Sequence, residues 1–363
     1  MPTLRTPLCD LLDIEVPILQ AGMGLIAYAD LAAAAANAGG LGCLGGIDMS
    51  VAEVDSNIRR FRELSDRPLA LDLGFPQNAP SARADVVLPD PLPQPIRQLR
   101  AELEEMGIPV EDNVPDQAIS RDDNLEKLDL ALDQGVEVIV CGLGTPVEVV
   151  EKCHRRGATV MSIVGTSRAA RKVIDNGTDV VIIQGTEGGG HSGEVGTLVL
   201  LAEVLDFATV PVVAAGGIAT GAQVAGALVA GADGAWIGTR FIATAEAGCQ
   251  QVYKEAVVDA GPNSTLRTPR FDGLHVRQLR NRFTDVWDGH EDEMQPYPVQ
   301  RMITIPIRDA AAKNSVASHM NLAAGQAVGL INDLPSAGDI VRRLTEEAVA
   351  ALWNSTKRIQ FSD

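Results

Sequence analysis

Short apolar runs that end at or near glycine alternate with Ala-rich stretches of helical character along most of the chain, and this alternation restricts the fold more than any other feature. The runs are Val16–Gln20, Leu41–Leu44, Leu69–Leu73, Val136–Cys141, Thr159–Val164, Val180–Gln184, Val210–Ala214 and Gly234–Ile237. The helical stretches between them are Ala29–Ala38, Val51–Leu64, Pro146–Arg156, Ser167–Asn176, Leu198–Phe207 and Gly221–Ala230. Each is long enough to carry the chain from one parallel strand to the next. Repeated βα units of this kind build a parallel sheet. Eight of them in 363 residues predict an α/β fold, a TIM (β/α)8 barrel with an inserted subdomain.

Two stretches break the rhythm. Residues 75–120 are rich in proline and acids, too long and polar for an ordinary βα loop, and read as a surface excursion or as a lid over the barrel mouth. Residues 245–310 follow the eighth strand without a barrel pattern and read as an inserted, substrate-side subdomain. The barrel is then expected from residues 1–244 and 311–363. The tail from Ser318 to Trp353 is helical in pattern, broken at Pro335-Ser336, and would close the helix ring.

The charge balance narrows what such a barrel could bind. A net charge of −18, from 30 basic and 48 acidic residues, would repel a phosphate backbone, so nucleic acid is not an expected partner. An anionic cofactor would have to be held by backbone amides and helix N-termini more than by Lys or Arg, and 35 glycines suit that demand. The apolar runs are too short to span a membrane, and the N-terminal stretch has acids and a proline where a secretory signal needs an unbroken apolar core, so the expected location is the cytoplasm. Cys9, Cys43, Cys141, Cys153 and Cys249 lack metal-ligand spacing and read as free thiols, with no metal site.

In a barrel of this type the active site forms at the C-terminal strand ends. Three glycine clusters fall there. Ala21-Gly22-Met23-Gly24 follows the first strand and would let backbone approach a flat ring, although taken alone a tight turn is the better explanation of Gly-x-Gly. Ala215-Gly216-Gly217-Ile218-Ala219-Thr220-Gly221 follows the seventh and opens a helix; Gly238-Thr239-Arg240 follows the eighth. Together they would offer amides, a hydroxyl and one guanidinium to a phosphate. Gln184-Gly185-Thr186-Glu187-Gly188-Gly189-Gly190-His191 follows the sixth strand, and a histidine ending a glycine run at the barrel mouth points to catalysis or substrate orientation. Glu187 would orient that loop through its backbone or stand solvated beside it.

With these motifs the chain resembles the nitronate monooxygenases, once called 2-nitropropane dioxygenases, a family of FMN-dependent TIM barrels. The likeness runs through Pro17 to Gly24, the Gln-Gly-Thr-Glu-x-Gly-Gly-His stretch, Ala215 to Ile218, Gly238-Thr239-Arg240-Phe241 and Ala324-Gly325-Gln326. The resemblance implies that Gly22, Met23 and Gly24 line the flavin ring and that Gln184, Gly189 and the adjoining Gly190 meet the flavin or its ribityl chain. It implies that Gly216, Gly217 and Trp236-Ile237-Gly238-Thr239 hold the phosphate, with His191 as the catalytic base. Two positions depart from the family. Asp72 stands after the third strand, near the flavin, where an Asn is usual, and is implied as a cofactor contact; Cys141 stands where a bulkier residue is common, which would widen the pocket.

The activity the resemblance implies is oxidation of alkyl nitronates by FMN and O2 to a carbonyl compound and nitrite. The alternative is an NAD(P)H-dependent FMN reductase acting on a quinone or an enoyl thioester; a flavin-binding protein without turnover is the third reading. The resemblance is compatible with a homodimer, and neither a membrane nor nucleic acid is expected as a partner.

Overall fold

In a computed structural model, residues 4–76, 86–112 and 121–359 are described. Eight parallel strands form the central sheet: β1 Ile18–Gln20, β2 Gly42–Gly45, β3 Leu69–Gly74, β4 Val138–Gly142, β5 Thr159–Val164, β6 Val180–Gln184, β8 Val212–Ala215 and β9 Gly234–Ile237. Their order is β1-β9-β8-β6-β5-β4-β3-β2. Leu41 N–H donating to Ile18 O and Gln20 N–H to Leu41 O close β1 onto β2, and the sheet becomes a barrel. The six crossover stretches read from the sequence form helices within one or two residues of the expected limits, from Ala29–Asn37 to Gly221–Val229.

Strand parity decides which side chains reach the site. Side chains alternate faces along a strand, and the inner set includes Leu19, Cys43, Ala70, Val140, Met161, Ile182, Val213 and Trp236, packed in one cluster. Two residues further on, toward the mouth, stand Asp72, Gly142 and Gln184. The outer set packs against the helices, with Leu71, Ile139 and Cys141 in one cluster and Val181, Ile183 and Ile237 in another.

The tail breaks at Pro335-Ser336 as expected, but before that break it is less helical than its pattern suggests. It runs through the short 3-10 turns Ala317–His319 and Gln326–Leu330 before the helix Ala337–Arg358, which packs on Gly221–Val229 and Ala29–Asn37 and completes the ring. Gly221 is where the first of these contacts is closest: a Cβ there would lie 2.3 Å from Glu347 Cβ.

Residues 245–310 hold the helices Gln251–Val258, Arg282–Asp285 and Val299–Lys313 and a hairpin of β10 (Thr265–Thr268) and β11 (Val276–Leu279). Phe271, Phe283, Trp287, Ile303 and Ile307 are buried in the same cluster as barrel-helix residues such as Leu200 and Val224. β11 also pairs with β7 (Gly190–His191), so this segment takes hold of the glycine-rich loop itself.

Of the 75–120 stretch, residues 77–85 and 113–120 lie outside the described residues. Its helix Gln94–Glu105 packs on Val299–Lys313 through Ile96, Leu99 and Leu103. Glu102 joins it to the rest of this segment, accepting from Arg282 at 2.5 Å and paired with His319 Nε2 at 3.0 Å. Those hydrogen bonds, Arg282 foremost, hold its carboxyl down at about 2. No described residue of the stretch lines the barrel mouth.

Candidate active site

A cavity of about 880 Å3 opens at the C-terminal strand ends. That is toward the upper end for a small-molecule site. Gly22, Met23, Gly24, Asp72, Gln184, Gly189, Gly190, His191, Gly216, Gly217, Trp236, Gly238 and Thr239 all line it. Ile237 does not: it falls on the outer parity of β9 and its side chain is buried against the helices.

At the β8 and β9 ends the wall is backbone. Gly216 and Gly217 adopt φ of +101° and +74°, a region that side-chain-bearing residues rarely enter. A Cβ on Gly216 would lie 3.0 Å from Gly185 O. The helix opening at Gly221, expected to present its own amides, does not. Ala219 and Thr220 N–H donate to Gln223 Oε1 at 3.0 and 3.2 Å, and Gly221 N–H donates to Glu347 Oε2 at 2.9 Å. A capping box consumes those donors because Thr220 and Gln223 stand at the right spacing. The free donors lie upstream: among the described residues, the amides of Gly216, Gly217, Gly238 and Thr239 meet no protein acceptor. Thr239 Oγ1 faces them, accepting from Gly325 N–H at 2.9 Å. Arg240, expected to add a guanidinium, turns away and is buried on Asp333 at 2.8 Å. Converging amides and a hydroxyl without a fixed cation are a donor set that suits a phosphate.

At the other side the wall is made of side chains. Gln184 Nε2 donates to Gly189 O (3.2 Å) and His191 O (2.7 Å), so it shapes the loop. Glu187 accepts from Thr197 N–H and Oγ1, both at 2.9 Å, and thereby ties the loop to the next helix, as its sequence position suggests. Gly189 is forced by packing, since a Cβ would come within 2.8 Å of Gly325 N and Ala324 C. His191, a third exposed, lies 2.5 Å through Nε2 from Oδ2 of Asp272, whose side chain is almost fully buried. The other Asp272 oxygen accepts from Leu274 N–H at 2.9 Å. Arg301, itself paired with Asp48 on the β2 loop, adds its positive charge behind Asp272. Among the described residues Nδ1 of His191 has no protein partner.

Asp272 was not singled out in the sequence, nor was His275, which also lines the cavity. Both stand in an irregular stretch that β11 brings to the mouth, and no local spacing marks them. The two family departures separate in the same way. Asp72 lines the cavity, and burial without a cation to compensate pushes its carboxyl well above the usual carboxylate range. Cys141 does not widen the pocket. It lies on the outer parity of β4, fully buried against the helices, and burial raises its thiol well above the ordinary value.

An eight-stranded barrel with a phosphate-type amide cradle and a carboxylate-bound histidine suits a flavin-dependent oxidoreductase, and that is the class the relatives define. The chain belongs to the nitronate monooxygenase family, whose model matches residues 5–347. It is 30% identical over 362 residues to a probable nitronate monooxygenase of Staphylococcus saprophyticus, covering 95% of this chain and 98% of that one. It is also 30% identical, over 96% of its length and 97% of the relative's, to an octahydro-1H-indene-4-carboxyl-CoA dehydrogenase of Rhodococcus jostii. The structure of a nitroalkane oxidase from Streptomyces ansochromogenes superposes with a TM-score of 0.82 at 34% identity, covering 95% of this chain and 99% of that one. Among the described residues, no helix is long and apolar enough to cross a membrane.

Proposed function

We propose that the barrel mouth holds FMN and that the enzyme oxidises alkyl nitronates with O2, releasing a carbonyl compound and nitrite. The observation that carries this reading is a cavity lined both by the free amides of two adjacent strand ends and by His191, itself paired with Asp272. Bound flavin would supply the electron transfer between the nitronate and O2. The amides of Gly216, Gly217, Gly238 and Thr239 would hold its phosphate beside Trp236, with Gly22, Met23 and Gly24 against the ring. Asp72, whose carboxyl is raised by burial, would in its protonated form donate a hydrogen bond there as an Asn does.

The His191 ring has one committed nitrogen and one open one. With Nε2–H donating to Asp272, Nδ1 carries the free lone pair and takes the α-proton of a neutral nitroalkane. Protonated at Nδ1, the same ring binds the nitronate anion. Gln184 and Glu187 keep the loop that carries it in place. Replacing His191 with Asn should cut turnover of a neutral nitroalkane by about 10²- to 10⁴-fold while leaving much of the turnover of preformed nitronate. Equal losses on both substrates, followed by oxygen uptake and nitrite release, would remove His191 from the role of base.

A second reading, a reductase or dehydrogenase acting on a thioester, draws support from the carboxyl-CoA relative. Bleaching of the bound flavin by anaerobic NADH or NADPH tests it directly.

A further inference from the structure

The cavity extends beyond the space between cradle and histidine. One wall of the extension is the helix Ser167–Asp175 with its C-cap Asn176, which lines the cavity through Arg168, Ala169, Lys172, Val173 and Asn176. This is one helical stripe, spaced by three or four residues, and at 1.5 Å per residue it runs about 12 Å. Leu143, Gly144 and Thr145 line the same lobe, and Asn176 Nδ2 closes it by donating to Thr145 O at 2.8 Å.

The charge of this lobe is unusual for the molecule. Acids outnumber bases 48 to 30, and most described arginines and lysines are engaged by a carboxylate, as on the preceding helix, where Lys152 meets Asp129 and Arg155 meets Glu151. Arg168 and Lys172 sit one turn apart and, among the described residues, have neither an ion pair nor a hydrogen-bond partner. Arg171 beside them is stacked on Phe207 and does not line the lobe. Two unpaired cations in a strongly acidic chain, both on the wall of one cavity, raise the local concentration of an anion there. They stand on a different wall of the cavity from the glycine cradle and the His191 loop.

We propose that this lobe is a subsite for the phosphate groups of a long ligand tail, of the nucleotide-carrier kind found in a coenzyme A thioester or in NADPH. The proposal rests on the flavin-oxidoreductase reading of the mouth and extends it. The barrel admits a phosphate-tailed substrate or reductant whose reactive end reaches the flavin side, with Arg168 and Lys172 neutralising the tail.

The test is calorimetric titration of the flavin-loaded enzyme with coenzyme A and, separately, with NADP+, so that no turnover intervenes. The variants are R168Q/K172Q and a control with the same charge change on the neighbouring helix, K152Q/R155Q. The expected result is that at least one of the two ligands binds the parent enzyme, that R168Q/K172Q weakens it by about tenfold, and that the control leaves it nearly unchanged. The binding of the parent enzyme should also weaken with salt more steeply than that of R168Q/K172Q. Binding of coenzyme A assigns the lobe to a thioester substrate; binding of NADP+ assigns it to the reductant. Failure of both ligands to bind, or equal binding by both double variants, overturns the proposal. Nitrite release from a simple alkyl nitronate is expected to be the same in R168Q/K172Q and parent, so loss of the subsite and loss of the nitronate reading are separate results.

Discussion

The two sides of the barrel mouth are built by different means. The β8 and β9 side is backbone: Gly216 and Gly217 in conformations other residues avoid, and four amides that meet no protein acceptor among the described residues. The histidine side is made of side chains held by a segment far along the chain, with β11 pairing to the His191 loop and Asp272 reaching the ring across 81 residues of sequence. A cradle of amides tolerates almost no substitution at its glycines and little depends on its neighbours. A side-chain pair depends on the docking of a whole subassembly.

Breaking the backbone side should have the largest effect. Gly216→Val forces a branched side chain into φ +101° with Gly185 O and Gly188 N at 3.0 and 3.1 Å, a strain of about 1–3 kcal/mol before any clash is counted. The purified variant should be colourless, with no nitronate-dependent oxygen uptake; normal flavin content after gel filtration would show that the cradle does not depend on this glycine.

The side-chain side should give a smaller and more selective loss. Asp272→Asn removes a charge-assisted hydrogen bond, about 1.5–3 kcal/mol or roughly 10- to 100-fold, and should lower kcat on a neutral nitroalkane more than on nitronate. Asp272→Glu should restore part of it. If D272N slows both substrates alike, the carboxylate serves only to hold the segment, and the contrast between the two walls loses its catalytic content.

Asp72 sharpens the comparison through pH. Its folded carboxyl is raised, so the folded protein keeps the proton longer than the unfolded chain does. Stability from this group is fully present below the unfolded carboxyl range, about 3.9, and is lost as pH rises toward the folded value. In flavin-free protein, Asp72→Asn should therefore melt higher than the parent at pH 8, and the difference should shrink at pH 4. A constant difference across that range would mean the site does not bury this charge.

The smallest expected effect lies at the docked helix. Glu102 is lowered to about 2 by Arg282 and His319, so its contribution is present above the unfolded value near 4.5 and disappears as pH falls toward 2. Because Glu102 and Arg282 are partly exposed, Glu102→Gln should lower the melting temperature only slightly at pH 7 and not at all at pH 2. A large drop at pH 7 would make this contact a principal anchor of the segment that carries Asp272.

Much of the barrel was legible because its signals are local. All eight strands lie where apolar runs end near glycine, and the helix limits follow from caps such as Ser50 with Glu53. Cys141 could have been placed as well: Val140 and Gly142 occupy the inward parity of β4, which leaves Cys141 outside. Arg240 and the Gly221 helix start illustrate the opposite case. Both have the right residue types for a phosphate, yet Asp333, Gln223 and Glu347 use their donors first, and those partners are fixed only when the tail helix and the capping box form.

The sequence by itself determined the barrel, the glycine cradle and the histidine at its mouth, because strand period, turn geometry and capping act over a few residues. The rest comes from tertiary contacts: that Asp272 fixes one His191 nitrogen, that Asp72 is half-buried in the mouth without a cation beside it, and that Arg168 and Lys172 face a cavity unpaired. These are properties of groups brought together from distant segments, and burial and charge pairing have no value until the chain has closed around them.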